Sequence, residues 1–427
     1  MVKSGSMAKS ESETKSAKLW DKCRSCGSSR VVDIVSFGDQ YVPNFVDSPK
    51  EQAYSAPLDL MLCQDCSLLQ LRHTFDQDLL YRKYWYRSAI SSTMVKYLED
   101  VIGAAERLVK LKPGDMVIDI GSNDGTTLRQ FKSPGILKVG YEPSNLWELG
   151  KQENAVIIHD YFNAEPFLKQ FPGKKVKILT SIAMFYDLER PNDFVEDVKK
   201  VLDKDGLWII QMNYLGTMLT NNTYDNISHE HLEYYSLIAL ENLVNRHGME
   251  VFDVEVNDVN GGSFRIFIRN RGSSLKANKG AEERLAKQRE WERSMHLDTK
   301  EPYLEFAKKI EKSRDDLLKT LNKLKKEGKS VYIYGASNRG FIVLQFAKIT
   351  DALIPKAVDL NEQKWGKYIV GTGIPIISID QYRAEKPDYL FVLPYHFIDE
   401  IKKQESAYVS AGGKLIVAIP EVRIFEK

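Results

Sequence analysis

From residue 116 onward, short apolar runs alternate with segments whose apolar residues recur at helical spacing. The runs that predict strands are 116–120, 137–142, 155–159, 176–181, 206–212, 250–256 and 263–269. Such alternation predicts an α/β fold with a parallel, doubly wound sheet, because each helix returns the chain to the same edge. The last two runs flank Asn260-Gly-Gly262, a turn sequence that predicts an antiparallel hairpin.

A second α/β unit begins at Ser330, where an apolar run leads into a glycine-bearing turn, Tyr334-Gly-Ala-Ser-Asn-Arg-Gly340. Further strand candidates in this unit are 354–359, 389–394 and 414–418. The stretch before it, 276–329, is rich in Lys and Glu at helical spacing, which predicts solvated linker helices. Two nucleotide-fold-like units in one chain indicate two nucleotide-like ligands.

The N-terminal part contains short strand-like runs, such as 30–35, and every cysteine of the chain. Its first 18 residues are rich in Ser and Lys and lack an apolar signal core, so we expect a disordered leader. The predicted divisions are a leader at 1–18, a small module at 19–80, a central domain at 81–275, linker helices at 276–329 and a C-terminal domain at 330–427.

The four cysteines form two Cys-x-x-Cys pairs, Cys23 with Cys26 and Cys63 with Cys66. A tight turn places both thiolates of a pair on one side, and two such pairs make a tetrahedral four-sulfur zinc site. Because no ligand position stays open, this Zn²⁺ would be structural. The alternative is two redox dithiols or free thiols.

Composition removes several classes of partner. Lys plus Arg is 60 and Asp plus Glu is 59 among 427 residues, so the net charge of +1 argues against nucleic acid or an anionic membrane surface as a partner. No apolar run approaches the roughly 20 residues that span a bilayer. Paired cysteines that suit metal better than disulfides favour a cytoplasmic location.

The turn Gly121-Ser-Asn-Asp-Gly125 follows the first strand of the central domain. It has neither the spacing of a dinucleotide-binding turn nor the Lys-Ser/Thr ending of a phosphate loop. Asp119, two residues before it, suits the amino-acid end of S-adenosylmethionine, and Glu142 after the next strand can take a ribose diol. The alternative is a plain strand-turn-helix without a ligand. The candidate cofactor-binding residues are Asp119, Gly121, Ser122, Asn123, Gly125, Thr126, Glu142, Pro143, Asp160, Tyr161, Ser181 and Ala183.

Two further stretches are candidates for the substrate side. His229-Glu230-His231 places a carboxylate between two imidazoles, which favours proton transfer, while a structural hydrogen-bonded pair is the alternative. Residues 81–88 mix aromatic side chains with cations, which is typical of a sugar or nucleotide pocket and equally of core aromatics beside solvated arginines.

In this order, the cysteine pairs, the Asp119–Gly125 segment, His229-Glu-His231 and the turn at Tyr334 resemble the sugar C-methyltransferases that act on nucleotide-linked keto-deoxyhexoses. The resemblance extends from Cys23 to the end of the chain. It implies an N-terminal zinc-binding domain, a central Rossmann-like class I methyltransferase domain that binds S-adenosylmethionine, and a C-terminal Rossmann-like domain that helps to hold the nucleotide-sugar.

The resemblance also implies roles for residues. Gly121, Asn123 and Gly125 would lie along the methionine part of the cofactor, and Glu142 would hold the ribose. His231 matches the general base, with Glu230 beside it, and Tyr84 or Tyr86 would supply an aromatic substrate contact. The candidate catalytic residues are therefore His231, Glu230, His229, Tyr186, Tyr84 and Tyr86.

Three places depart from the pattern of many family members. Tyr186 stands where a histidine is common, Ser228 stands where a tyrosine is common, and Tyr395-His396 replaces Trp-Asn. All three concern the substrate side, so they indicate another substrate or another arrangement of the base.

The expected activity is S-adenosylmethionine-dependent C-methylation of a nucleotide-linked keto-deoxysugar through an enolate. Alternatives are O- or N-methylation of another small metabolite, C-methylation of a carbon acid that is not a sugar, and a non-catalytic binding protein. The sequence does not determine the sugar, the nucleotide, the carbon methylated or the oligomeric state.

Overall fold

The computed structural model describes residues 17–51, 53–152 and 155–426. It has a small β module, a seven-stranded sheet and a six-stranded sheet, in agreement with the predicted fold class. Residues 1–16 of the predicted leader lie outside the described residues, whereas Lys18 pairs with Thr74 in a short strand and so belongs to the fold. Within the described ranges, no helix combines the length and the apolar character that crossing a membrane requires.

The N-terminal module is built on an antiparallel sheet. The strands of the module are β1 (Lys18–Leu19), β2 (Val31–Tyr41), β3 (Phe45–Val46), β4 (Ser55–Cys63), β5 (Leu69–Leu71) and β6 (His73–Thr74). Of these, β2, β4 and β5 form the sheet. In the first half of β4, Ala56, Leu58 and Leu60 are buried and the residues between them are not, because successive side chains of a strand point to opposite faces. The strand ends at Cys63, which places the second cysteine pair at the end of the sheet.

The central sheet has the strand order β13-β14-β11-β10-β7-β8-β9. Its strands, with the short β12, are β7 (Met116–Ile120), β8 (Leu137–Tyr141), β9 (Ala155–Ile158), β10 (Val176–Ile182), β11 (Leu202–Asn213), β12 (Glu233–Tyr234), β13 (Met249–Asn257) and β14 (Ser263–Asn270). Strands β7 to β11 are parallel, and β13 and β14 form the predicted antiparallel hairpin. The strand order reverses at β7, and the crevice outside the carboxyl ends there is the usual ligand site of such sheets.

Helices cover both faces of the central sheet, which explains why β7 is buried along its whole length. They are α1 (Gln77–Tyr81), α2 (Ser92–Leu108), α3 (Thr126–Gln130), α4 (Ala164–Gln170), α5 (Pro191–Val201), α6 (Leu215–Thr220) and α7 (Leu237–Arg246). In α2, Ser91 caps the first turn by accepting a hydrogen bond from the Met94 amide. Its buried residues Leu98, Val101 and Ala105 recur at helical spacing, so one stripe faces the sheet.

The helices of 276–329 differ from the solvated linker that the sequence predicts. They are α8 (Ala281–Ser294) and α9 (Glu301–Lys326). One face of α9, which includes Phe306, Ile310 and Leu317, is buried in the large core that joins all parts of the chain. Glu292 of α8 is fully buried and accepts hydrogen bonds from Tyr214 and the first turn of α7. These helices are therefore structural, with only their outer faces in solvent.

The C-terminal domain has a six-stranded sheet in the order β18-β16-β15-β19-β20-β21. Its elements are β15 (Val331–Tyr334), α10 (Gly340–Phe346), β16 (Ala357–Val358), β17 (Tyr368–Ile369), β18 (Ile376–Ile377), α11 (Ile379–Glu385), β19 (Tyr389–Val392), α12 (Ile398–Gln404), α13 (Ser406–Ser410), β20 (Lys414–Val417) and β21 (Arg423–Phe425). The first five strands in that order are parallel, and β21 is antiparallel. The turn after β15 again lies at the carboxyl edge, facing the central domain.

Two short strands cross between the parts of the chain. β12 of the central region pairs with β5 of the N-terminal module, and β17 of the C-terminal domain pairs with β3. Strand pairing and the shared core hold the three parts as one packed body. The carboxyl edges of the central and C-terminal sheets consequently open onto a common space.

Candidate active site

The four cysteines meet at one end of the N-terminal module. The Sγ atoms of Cys23 and Cys66 are 3.5 Å apart, as are those of Cys26 and Cys63, and all four lie within 4.8 Å of one another. A tetrahedral zinc ion with Zn–S bonds of about 2.3 Å separates its sulfurs by roughly 3.8 Å, so the cluster fits that ion. Three of the cysteines are buried, and four thiolates leave no position for a substrate.

A single cavity of about 1460 Å³ lies where the central and C-terminal sheets face each other. Its wall includes the Gly121 turn, the His231 segment, the aromatic residues of 81–86 and the Gly335 turn. Pockets for one drug-sized ligand have about 300–1,000 Å³, so this cavity has room for more than one ligand.

The Glu142 carboxylate is held at the carboxyl edge of the central sheet by two backbone amides. One of its oxygens accepts a hydrogen bond of 2.6 Å from the Asn123 amide, and the other accepts one of 2.9 Å from the Ser144 amide. The side chain is 5% exposed and lines the cavity. Both oxygens keep a lone pair for a further donor, which is what a ribose diol requires.

The backbone comes close to the cavity at Gly121, whose φ of 72° is in the left-handed region that favours glycine. A Cβ there would lie 3.3 Å from the Met184 side chain and would narrow the space. Asn123 ties this turn to the preceding segment, because its side chain accepts from the Ser88 amide and donates to the Tyr86 carbonyl. Residues 86–88 thus form a strap over the turn.

Four other cofactor candidates, Pro143, Asp160, Tyr161 and Ala183, also line the cavity. The Tyr161 hydroxyl donates to Asp78, and the Arg82 guanidinium lies over its ring. Ala183 has a φ of 52°, so the chain turns sharply after β10 and presents its backbone to the cavity. These positions surround the same space as Glu142.

Five cofactor candidates do not line the cavity but support the loops that do. The Thr180 hydroxyl donates to Asp119, whose burial raises its pKa to about 7, and the Trp208 ring N–H donates to Ser181. Ser122, Gly125 and Thr126 pack beneath the turn. The side chains of Asp119, Ser122, Thr126 and Ser181 are buried, and the direct cofactor contacts predicted for these five positions stay predictions. Thr127, which the sequence analysis did not single out, does line the cavity.

His231 lies on the cavity wall in a defined tautomer. Its Nδ1 is 2.6 Å from the Asn226 carbonyl oxygen. Because a carbonyl only accepts, Nδ1 carries the proton and Nε2 keeps its lone pair. Burial lowers the pKa of His231 to about 4, so the ring is neutral near pH 7. The Tyr186 ring meets it edge to face at 4.4 Å between centroids.

His229 is placed differently and does not line the cavity. It is 4% exposed, its Nε2 is 3.0 Å from the Ala56 carbonyl oxygen, and its ring packs against Phe75. Burial lowers its pKa to about 4 as well. His229 lies in the turn before His231 and packs toward the N-terminal module, an arrangement that favours its structural alternative, and its catalytic role stays a prediction.

Two carboxyl groups share the His231 side of the cavity. Burial raises the pKa of Glu230 to about 7. Burial, with the neighbouring charge of Glu230, also raises the pKa of Asp187 well above its usual range, and one Asp187 oxygen has no hydrogen-bond partner among the described residues. Among the described residues, a group of three or more His, Cys, Asp or Glu side chains that could hold a metal ion is found at the cysteines. Sequence reasoning missed Asp187, which stands directly after Tyr186.

Tyr84 and Tyr86 both line the cavity, so its geometry does not choose between them. Tyr84 is held by its amide, which donates to the Asn145 side chain, while the Tyr86 side chain is about half exposed. Burial raises the pKa of the Tyr84 phenol well above its usual range, so it stays a neutral hydrogen-bond donor.

The C-terminal domain contributes Ser337, Arg339, Lys364 and His396 to the cavity wall. Burial lowers the pKa of His396 to about 3. The glycine-bearing turn after Tyr334 was the signal in the sequence for this wall, but it did not identify Arg339 or Lys364.

Three family models match successive parts of the chain. The "Putative zinc binding domain" matches residues 23–81, the "Methyltransferase domain" matches 94–254, and the "C-methyltransferase C-terminal domain" matches 258–420. The C-methyltransferase NovU of Streptomyces niveus is 30% identical over 415 residues, which are 95% of this chain and 96% of NovU. These matches confirm the resemblance that the motifs indicate.

Solved structures of methyltransferases are more distant. The CcbJ methyltransferase from Streptomyces caelestis is 12% identical, with a TM-score of 0.35 over 46% of this chain and 99% of its own. The plantazolicin methyltransferase BpumL in complex with SAH is 14% identical, with a TM-score of 0.33 over 43% of this chain and 87% of its own. Likenesses this weak carry no conclusion about the cavity.

Proposed function

The chain belongs to the C-methyltransferase family that includes NovU, and on that premise we propose that it methylates a carbon beside the ketone of a nucleotide-linked deoxysugar. As a family member it is an S-adenosylmethionine-dependent C-methyltransferase with a zinc-binding N-terminal module. The observation that carries the finer proposal is the continuous cavity, which joins the Glu142 side of one sheet to the Gly335 turn of the other.

We assign the cofactor to the carboxyl edge of β7, β8 and β10. Glu142 has two oriented oxygens for the ribose hydroxyls, and the close approach of backbone at Gly121 suits the methionine part. Asp160 and Tyr161, on the same wall, suit the adenosine end. S-Adenosylmethionine supplies an electrophilic methyl group when it is bound there.

His231 is the proposed general base. Its neutral Nε2 takes the proton from the carbon beside the ketone, and the C–H electron pair moves toward the ketone oxygen. The Asn226 carbonyl orients the ring and stabilises the imidazolium that forms. A positioned base of this kind contributes roughly 10²- to 10⁴-fold to the rate.

The oxygen that gains charge needs a donor, and the neighbouring carboxyl groups can supply one. Glu230 and Asp187 both favour the neutral form because burial opposes their ionisation. A protonated carboxyl in such a site donates a hydrogen bond to an enolate oxygen. We assign this role to the pair, with Tyr84 and Tyr86 as further phenolic donors on the same wall.

The remainder of the acceptor would lie toward the C-terminal domain. Lys364, which pairs with Asp359, lies on that wall, and Ser337 adds a hydroxyl. Cations and hydroxyls of this kind are suited to the phosphates of a sugar nucleotide. The proposal includes a small-molecule acceptor and a cytoplasmic location, where the four thiols stay reduced.

The direct test incubates the protein with methyl-labelled S-adenosylmethionine and a panel of nucleotide-linked 4-keto-hexoses. We expect label on a carbon beside the ketone, and solvent deuterium at that carbon when the cofactor is omitted. Label on oxygen or nitrogen, or no transfer to any panel member while the cofactor binds by calorimetry, would contradict the sugar C-methylation.

A matched pair of variants tests the cofactor assignment. We expect Glu142→Gln to weaken S-adenosylmethionine binding about 10- to 100-fold, since one charge-assisted acceptor is lost. Glu148→Gln, an exposed carboxylate six residues further along the chain, is the control and is expected to bind normally. Equal affinities of the two variants would refute the role of Glu142.

A further inference from the structure

The Arg339 side chain extends from the C-terminal domain and forms hydrogen bonds with two segments of the central domain. Its Nε donates to an Asp225 carboxylate oxygen at 2.8 Å, and a terminal nitrogen lies 2.7 Å from the same oxygen. The other terminal nitrogen donates to the Asn260 carbonyl at 2.8 Å. Arg339 thereby connects the turn after β15 with residues 224–226 and with the hairpin.

The Asp225 carboxylate, which accepts the Arg339 hydrogen bond, is buried. It is 2% exposed, and the Tyr395 hydroxyl, also from the C-terminal domain, lies 3.4 Å from its second oxygen. Burial raises the pKa of Asp225, and the Arg339 charge opposes that rise. Without Arg339 the carboxylate would be buried without its cation, so it would take up a proton or its segment would rearrange.

The residue after Asp225 is the one that holds His231. The Asn226 carbonyl accepts the Nδ1 proton of His231 at 2.6 Å, and the Asn226 side chain accepts from Asn213 at 2.7 Å. The Asn226 carbonyl, which selects the His231 tautomer, therefore directly follows the residue to which Arg339 is hydrogen-bonded. Two hydrogen bonds and the peptide bond between Asp225 and Asn226 therefore connect the guanidinium with the imidazole.

We propose that Arg339 is a positioning residue, by which the C-terminal domain holds the Asn226 carbonyl against His231 and keeps the lone pair of Nε2 available to the substrate. This inference rests on the proposed role of His231 as the base. It gives the C-terminal domain a part in the proton transfer as well as in holding the acceptor.

The test reads the His231 ring directly, without a substrate. Histidine labelled with ¹⁵N reports the tautomer and the titration of each ring, and His231→Gln assigns the signal. We expect the Nδ1–H tautomer in the wild type, a mixture of tautomers in Arg339→Ala, and an intermediate spectrum in Arg339→Lys. Lysine keeps the charge but cannot bridge Asp225 and Asn260 together.

The pKa of His231 depends on the charged and titratable groups that surround its ring. These are Tyr81, Tyr84, Tyr186, Asp187, Glu230, Arg339 and His396 on the large cavity, and Glu233 and Tyr234 beside a small one. The charge of Arg339 lowers the pKa of His231, so Arg339→Ala also raises that pKa, whereas Arg339→Lys leaves the charge effect in place.

Arg383→Ala is the matched control, because Arg383 pairs with the buried Glu405 inside the C-terminal domain. It is expected to leave the His231 spectrum unchanged. In turnover assays we expect Arg339→Ala to lower kcat by about 10²-fold, the usual loss from a misplaced group, with the KM for S-adenosylmethionine unchanged. Asp225→Asn keeps the shape of the side chain, and we expect it to change the His231 spectrum and kcat in the same direction as Arg339→Ala but by less.

An unchanged His231 tautomer in folded Arg339→Ala, or the same change in Arg383→Ala, would overturn the proposal. If Arg339→Ala does not fold, Arg339→Lys and Asp225→Asn decide by the same spectrum. A wild type that shows the Nδ1–H tautomer but methylates no keto sugar contradicts the proposed function and leaves the coupling of Arg339 to His231 measurable.

Discussion

The four-cysteine cluster and the His231 corner of the cavity both concentrate titratable side chains, yet they are assembled in different ways. Each half of the cluster is a tight turn that brings two thiols together within four residues. The His231 corner draws Asp187, Asn226, His231 and Arg339 from separate turns of two domains. The cluster depends on local geometry, and the corner depends on how the sheets pack.

The chemistry differs for the same reason. The closed cluster of four thiols is suited to holding a metal ion. In the corner, the surroundings decide the use of each side chain, since His229 and His231 have similarly lowered pKa values but only His231 lines the cavity. In the corner, the residue type alone therefore does not predict the function of a side chain.

The two regions are connected through β5 and β12. The Leu71 amide donates to the Leu232 carbonyl at 2.8 Å, directly after His231, and Tyr234 pairs with Leu69. The cysteine turn at Cys66 leads into β5, so zinc stabilises one support of the His231 segment. The following changes test how independent the regions are, in order of their expected effect on turnover.

The largest effect is expected from His231→Ala, which removes the proposed base. We expect turnover to fall by at least about 10³-fold and S-adenosylmethionine still to bind, because the proposed cofactor contacts lie on other segments of the chain. Single-turnover methyl transfer and calorimetry measure the two quantities. Retained turnover would show that the corner does not depend on this imidazole.

Cys63→Ser tests the connection from the other region. Loss of one thiolate weakens the metal site and destabilises the N-terminal module by about 3 kcal/mol or more. Because β5 then supports β12 poorly, we expect turnover to fall about tenfold as well. Metal analysis, thermal unfolding and turnover follow these effects, with Ser28→Ala beside the cluster as the control. Normal turnover in a zinc-free, folded variant would separate the regions.

Glu230→Gln changes the pH profile more than the rate at neutral pH. The neutral form of Glu230 prevails below its raised pKa of about 7 and is lost as the pH rises through that value. We expect wild-type turnover to fall roughly tenfold per pH unit above this pKa. In Glu230→Gln we expect this basic limb of the pH profile to be absent. A basic limb that persists in Glu230→Gln would exclude Glu230 as its origin.

His229→Gln has the smallest expected effect on turnover, within about twofold, since this ring lies outside the cavity and its loss costs about one hydrogen bond. Burial lowers the folded-state pKa of His229 to about 4 from 6.5, so the unfolded chain binds more protons between these values. The stability of the wild type therefore declines as the pH falls from 6.5 toward 4, and the variant declines less steeply. Denaturant unfolding at several pH values measures this slope.

Much of the architecture was predictable because strand and helix patterns are local. The predicted runs 116–120, 137–142 and 176–181 are strands of the central sheet, and the predicted hairpin around 260–262 joins β13 and β14. The helices of 276–329 were misjudged, because charged residues on the outer face concealed the buried stripe of α9.

The sequence by itself determined the cysteine cluster, the alternation of strands and helices along the chain and the family, since each depends on spacing within a few residues or on the order of motifs. Only the tertiary structure decided that Asp119, Ser181 and His229 face inward, that Asp187 joins Glu230, and that Arg339 reaches Asp225. The physical reason is that the direction of a side chain at a strand end, and the charge it carries, depend on neighbours that lie 27 to 173 residues away along the chain. Spacing along the chain does not contain that information.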